Sequence, residues 1–385
     1  MKPTQQLGAG ILCFVLIVAA IGSIASPDEV VADTILVKGH VGNLKMPYFA
    51  HPEVQRILRE KYGIEVDVEG MATTEMLCPE NPADLENVDF LFAGEQSQIA
   101  MYEDCQNRRD PYRNVFLSPM VIYSWTDTID ALEREGVARK DGSEAYFIDM
   151  PKLLALLESG ATWEDLGFPH RPTTVKVYPT DPDRSSSGRT FAGLLANTMN
   201  CLQVVDAATI DTVLPSIYAY FQGVGFLEPS SEALFRSYLT LGEGARPLVA
   251  LIESQLTDYL IDHPEDKDLI RDKVRMLYPE PTVWTSHPVI ARTENGEKLM
   301  QALLDPELQQ LGWELVGFRP AVPGVDIDVT KSGVPGILPN IDSTIDSPGD
   351  AMMALIKDAT KNDPGPGAPR RDCTEVTAGA SPVSS

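Results

Sequence analysis

The sequence predicts an α/β protein of two lobes joined by a hinge, and three observations carry that reading. Strand-like segments alternate with helix-like ones, the pattern of a mostly parallel sheet covered by helices. Two long β stretches, near 118–125 and 282–290, bracket the middle of the chain. If each passes between lobes, the chain leaves lobe one, builds lobe two and returns, with a ligand cleft between them. The third observation is the turn Thr180-Asp-Pro-Asp-Arg-Ser-Ser-Ser-Gly188, which joins a β-rich run to an apolar helix.

In chain order, Lys2 precedes an apolar run from Leu7 to Ala25, followed by Pro27, Asp28, Glu29 and Asp33. At 1.5 Å per residue the run spans about 28 Å, long enough for one membrane helix. The basic start and acidic exit place the rest of the chain outside the cell. Residues 1–26 are therefore either a signal peptide, cleaved after Gly22 or Ala25, or a membrane anchor. Exported protein, anchored or released, is the expected location. Cys13 follows Gly10-Ile11-Leu12, which is not a lipobox.

Thr34–Lys38 is the first expected strand, followed by Gly39-His-Val-Gly-Asn43 and a helix over 52–61. Strands follow at 62–68, 89–94 and 115–125, then a helix over 150–158 and a strand over 174–178. Helical patterns run across 206–222, 230–241 and 264–277, with a strand at 247–252 between the last two. A β crossing at 282–291 and a helix over 295–304 bring the ordered part to its end near Gly317-Phe-Arg-Pro320. The remainder, 321–385, is rich in Pro, Gly, Ser and Asp. It is expected to be largely irregular, with one short helix over 351–357 and a disordered last dozen residues. Lobe one is expected at 34–120 with 286–320, and lobe two at 121–285.

The formal charge of −25 excludes a nucleic-acid partner and adhesion to anionic lipid. The apolar fraction of 43% is that of a globular protein. Nothing in the sequence repeats, and a monomer is expected. Outside the N-terminal segment stand Cys78, Cys105, Cys201 and Cys373, an even number that allows two disulfides in an oxidising compartment. Cys78 and Cys105 flank one strand-like segment and are the favoured pair. Cys201 with Cys373 is then the remainder, and free buried thiols are the alternative.

A strand that ends in a Ser/Gly turn and opens a helix gathers free backbone N–H groups and a positive dipole end, which suits an anion. The plain alternative is that the serines only cap the helix. Enzyme readings fail on the residues. There is no Gly-x-Ser-x-Gly elbow, and the five histidines show no zinc-binding spacing. Asp181-Pro-Asp183-Arg-Ser185 is a poor calcium loop, with Ser186 at the sixth position and Ala192 at the twelfth. No enzyme, cofactor or metal is expected.

The order of Asp89-Phe-Leu-Phe-Ala-Gly94, Phe116-Leu-Ser-Pro-Met-Val-Ile122, Asp181–Gly188, Leu251-Ile-Glu-Ser-Gln255, Tyr278-Pro-Glu-Pro…His287-Pro288 and Gly317–Pro320 resembles the two-lobed extracellular solute-binding proteins. Within them it is most similar to the molybdate/sulfate-type branch of the type II periplasmic binding proteins and to bacterial relatives joined to von Willebrand A domains. The resemblance covers roughly residues 34–320. It implies a Venus-flytrap closure on a small polar or anionic solute, and an ABC-type permease as partner. A membrane-anchored sensor or envelope-interaction protein with a von Willebrand A-type partner is the competing role.

By the same resemblance the first lobe would contact solute through Gly39, His40, Gly42, Asn43, Ser97 and Gln98, with Ser118 at the crossover. The second would use Ser185, Ser187, Gly188, Arg189 and Thr190, with Ser254 and Gln255. Each has a plainer alternative: His40 as a turn residue, Arg189 as a solvated helix residue, Ser254 and Gln255 as caps.

Overall fold

A single strand, Tyr112–Trp125 (β4), belongs to both halves of the molecule. The other strands are β1 (Ile35–Val41), β2 (Ile64–Gly70), β3 (Phe90–Phe92), β5 (Ala138–Lys140), β6 (Tyr146–Asp149), β7 (Leu248–Ile252), β8 (Val274–Glu280), β9 (Trp284–Ala291) and β10 (Arg319–Pro320). The main path of the sheet runs β2-β1-β3-β9-β4-β8-β6-β5, and β7 and β10 also pair with β4. Through Pro119, β4 pairs with β9, and Phe116 and Leu117 also meet β10. From Met120 it pairs instead with β7, and from Ile122 with β8 as well. The computed structural model describes residues 34–142, 144–332, 334–371 and Cys373.

The chain changes partners at Ser118-Pro-Met120 on the way out and between β8 and β9 on the way back. The two crossings are tied together: Met120 N donates to Val283 O at 2.9 Å, and Thr282 Oγ1 donates to Met120 O at 2.6 Å. The sheet is mixed and not mostly parallel. Only β1–β2, β1–β3 and β6–β8 run parallel, because crossing strands that leave and return must run in opposite directions.

Each half has its own core. The first packs Tyr48, Phe49, Phe90, Phe92, Phe116 and Phe318 edge to face or stacked, with ring centroids 5.3–6.2 Å apart. It is closed by the helix Pro52–Tyr62, which buries Val54, Ile57 and Leu58 and ends on Gly63 at φ 62°. The second is built round the helix Ser186–Met199, whose residues are buried from Ser187 onward. Such complete burial follows from its small and apolar residues, packed against the helices Met150–Ser159, Ile210–Val224 and Asp350–Ala359.

Three segments depart from the sequence reading. Residues 174–178 make isolated bridges from Thr174 to Thr162 and from Tyr178 to Val249, not a strand. Val175 and Val177 are buried as in a strand, but Pro179 brings no N–H to extend the ladder. Residues 264–277 are helical only to Lys273, after which Val274 begins β8 and pairing with β4 prevails over the helical pattern. The ordered chain also continues well past Pro320. Thr282 pairs with Thr344, and the helix Asp350–Ala359 buries Met353, Ile356 and Ala359 in the second core.

Cys78 is bonded to Cys105 and Cys201 to Cys373, the pairing favoured from the sequence. The second bond closes a separation of 172 residues and fastens the extension to the end of the helix Ser186–Met199. Residues 1–26, Cys13 and the last dozen residues lie outside the described ones. Among the described residues no helix is long and apolar enough to cross a membrane.

Candidate functional site

A cavity of about 310 Å³ opens between the two halves. Gly42, Asn43, Lys45, Gly94 and His287 line it from the first half. Arg184, Ser185, Ser186, Ser231, Gln255 and Tyr259 line it from the second. The lining follows the carboxyl ends of β1, β3 and β7, where α/β sheets place their ligands.

Lys45 is the most buried charged side chain of the lining, which also includes Arg184, Glu232, Arg236 and Asp258. It is 3% exposed and ends the short 3₁₀ turn that follows β1. Its Nζ lies 5.1 Å from the Phe92 ring centre and 5.6 Å from that of Phe318. Burial alone lowers its pKa to about 7, with no carboxylate opposing the effect. His287, on β9, is 1% exposed and stacks on Phe318, and neither ring nitrogen has a hydrogen-bond partner. Burial first, and then the Lys45 charge, push its pKa well below the usual range, so its imidazole is neutral. Gln255, also 1% exposed, leaves Oε1 without a partner.

Two helices start at the wall of the same cavity. The helix Ser186–Met199 starts at Ser185 with no side-chain capping bond, and the helix Ser254–Asp262 starts at Glu253 in the same way. These two N-termini add positive potential to the wall of a strongly acidic protein. The site is suited to recognition. His287 has no hydroxyl within hydrogen-bonding reach of its ring, so no nucleophile–base pair is assembled.

Of the fourteen residues named from the sequence, Gly42, Asn43, Ser185 and Gln255 line the cavity. Ser97, Gln98, Arg189 and Thr190 instead serve a buried latch centred on Glu95. Arg189 Nη1 donates to Glu95 Oε1 at 2.9 Å and Thr190 Oγ1 donates to Oε2 at 3.0 Å. Ser97 Oγ adds a bond to Oε1 at 2.7 Å, while Gln98 Oε1 accepts from the Gly94 and Glu95 N–H groups. Glu95 belongs to the first half and Arg189 to the second, so the latch bridges the halves. Beside it, a Cβ on Gly94 would come within 2.7 Å of Ser186 Oγ.

The rest are structural. Ser254 N donates to Ser118 Oγ at 3.3 Å, across the crossing strands. Ser187 Oγ shares hydrogen bonds with Thr180, Ser185 and Ser231 at 2.8–3.1 Å, all within the second half. Gly39 lets β1 pass the Phe90 ring, which a Cβ would approach to 2.1 Å. His40 is off the cavity, 3.9 Å from Glu69, and burial lowers its pKa against the opposing pull of that carboxylate. A Cβ on Gly188 would lie 2.2 Å from Thr180 O, a backbone atom that cannot yield cheaply. Gly188→Ala is therefore expected to destabilise the fold by about 2 kcal/mol or more. Urea unfolding with an unchanged midpoint would contradict this packing role.

Sequence reasoning missed Lys45, His287 and Ser231, and it named Ser186 in the turn without placing it among the contacts. Lys45 and His287 carried a signal: each is a lone ionisable residue inside an otherwise apolar or β-rich run. Ser231 opens a helix after Pro229, a helix start of the kind that drew attention to Ser185, though a helix and not a strand precedes it.

No family model matches the sequence, and no curated protein is significantly similar to it. Solved structures do share its fold. The apo ferric ion-binding protein A of Pasteurella haemolytica superposes with a TM-score of 0.54 at 13% identity, over 84% of this chain and 95% of that one. The iron- and citrate-bound protein of Trichodesmium gives 0.54 at 14%, over 85% and 97%. The substrate-binding protein of an ABC transporter from Agrobacterium tumefaciens gives 0.52 at 14%, over 86% and 95%. The chain thus has the two-lobed α/β fold of solute-binding proteins. Among its described residues no group of three or more His, Cys, Asp or Glu side chains is arranged to hold a metal ion.

Proposed function

We propose that this chain is an exported solute receptor that closes its two lobes on a small polar anion and delivers it to an ABC-type permease. In this reading residues 34–120 with 286–320 form one lobe and 121–285 the other, with the hinge at the two crossings. The observation that carries it is Lys45: a buried ammonium with no carboxylate partner, lining a cavity at which two helices also start. A charge held at that cost awaits a counter-charge. The fold shared with solute-binding proteins agrees with this role. Kinship with the molybdate/sulfate-type branch and tethering through residues 1–26 belong to the same proposal.

A thermal-shift screen against oxyanions and small carboxylates tests it. A true ligand should stabilise by about 2.7 kcal/mol at a hundredfold excess over its Kd. No shift with any anion would overturn the receptor reading and turn it to a sensor with a von Willebrand A-type partner.

A further inference from the structure

We propose that the solute is a hydroxylated organic anion, its charged group held by Lys45 and its hydroxyls by Gln255 and His287. The proposal rests on the anion-receptor reading and narrows the ligand within it.

Three polar side chains, each at least 97% buried, line the same cavity, and Gln255 Oε1 and both ring nitrogens of His287 have no partner. They ask for different things. An ammonium offers only donors and calls for an acceptor carrying negative charge. A carboxamide offers both a donor and an acceptor, whichever way it is turned. A neutral imidazole does the same, whichever tautomer it adopts. A bare tetrahedral oxyanion carries acceptors alone. It would satisfy Lys45 and then seal the acceptors of Gln255 and His287 into a closed cleft with nothing to bond. A hydroxyl both donates and accepts, so an anion that carries hydroxyls can meet all three side chains.

The partners sit on both sides of the cleft. His287 and Lys45 belong to the half built on β1 and β9, and Gln255 follows β7 in the other. A ligand that spans them joins the lobes and so favours the closed arrangement. The size agrees. About 310 Å³ is room for roughly ten waters, far more than a single tetrahedral ion displaces. The walls between the polar groups, including Pro47, Met71, Ile252 and Tyr259, give a carbon skeleton apolar surface to rest on.

The test is isothermal titration of the full chain at pH 6.5 with three sets of probes. The first is D-gluconate, D-galacturonate and L-malate; the second is hexanoate and succinate, which have charge but no hydroxyl; the third is sulfate and molybdate. The tightest hydroxy acid is expected to bind at least tenfold more strongly than the tightest member of either other set, the loss expected when a buried acceptor goes unpaired. Gln255→Met is expected to cut that ratio at least threefold while leaving the affinity for hexanoate or succinate unchanged. Equal or tighter binding of the hydroxyl-free anions overturns the proposal and leaves the anion receptor standing. So does a Gln255→Met variant that weakens all anions alike. Binding of no anion removes both readings. The wild-type ratios decide the matter even if the variant fails to fold.

Discussion

Replacing Lys45 by Met is expected to stabilise the protein and to abolish anion binding at once. Burial lowers the lysine pKa from 10.5 to about 7, so near and below pH 7 the folded state holds a charge that the unfolded state would keep in water. Met retains the length and the contact with Phe92 and Phe318 and removes the charge. The gain is about 2–4 kcal/mol near pH 7, below the full cost of the pKa shift because the cation gives up its attraction to two rings. The direction with pH follows from proton counting. Between pH 7 and 10.5 the unfolded chain binds a proton at this lysine that the folded chain has lost, so the wild type grows more stable as pH rises. The advantage of Lys45→Met must therefore shrink from pH 6 to pH 9.5, which urea unfolding at several pH values will show. An advantage that stays constant would mean that Lys45 is not desolvated. Anion binding moves the opposite way. It needs the protonated lysine, so affinity is expected to fall by up to tenfold per pH unit above 7, and titration calorimetry of the wild type across that range reads it directly.

The same residue shows what the sequence could and could not reveal. Lys45 lies two positions beyond Asn43, just past the stretch Gly39–Asn43, and its one local signal is that it stands as a lone charge in an otherwise apolar run. Its burial depends on Phe92 and Phe318, which come from distant parts of the chain. Periodicity reports which face of an element is apolar, not which elements meet. This is why β1, β3, β7 and the long crossing strand at 115–125 were legible, as were helices such as Pro52–Tyr62, whereas β8 inside a helical pattern, the short β5 and β6, and the partners of the site residues were not. Arg189 is a clear case. One turn into a helix it reads as a surface residue or a ligand contact, and only the fold brings it to Glu95, 94 residues earlier. The turn at 180–188 reaches the cavity, but its polar groups are divided. Ser185 and Ser186 face the cavity, Ser187 is occupied by neighbouring hydroxyls, and Gly188 is there because Thr180 leaves no room for a side chain.

Breaking the Glu95 latch is expected to open the protein more than it unfolds it. Removing one partner of a buried ion pair ordinarily costs about 3–5 kcal/mol, because the other charge is stranded away from water. Glu95 and Arg189 sit on opposite sides of a cleft, so in Arg189→Met the carboxylate can regain water if the lobes part. The free energy of opening therefore caps the cost, and unfolding is expected to shift by only about 1 kcal/mol. The remaining effect appears elsewhere: a larger radius of gyration in X-ray scattering, and an apparent Kd raised in proportion to the lost closed population. Glu253 and Arg319 supply the contrast. This pair is equally buried and doubly hydrogen-bonded, at 2.6 and 2.8 Å. It lies beside the crossing strands, where Tyr278 bonds the same carboxylate and Arg319 also holds the carbonyls of Leu338 and Pro339. It too joins residues of the two proposed lobes, but at the hinge, where parting of the lobes separates its members least. Arg319→Met should consequently bear the full loss of about 3–5 kcal/mol without a change of shape before unfolding. If both variants lose the same stability and neither expands, Glu95 and Arg189 are a structural pair and the lobes do not separate along that seam.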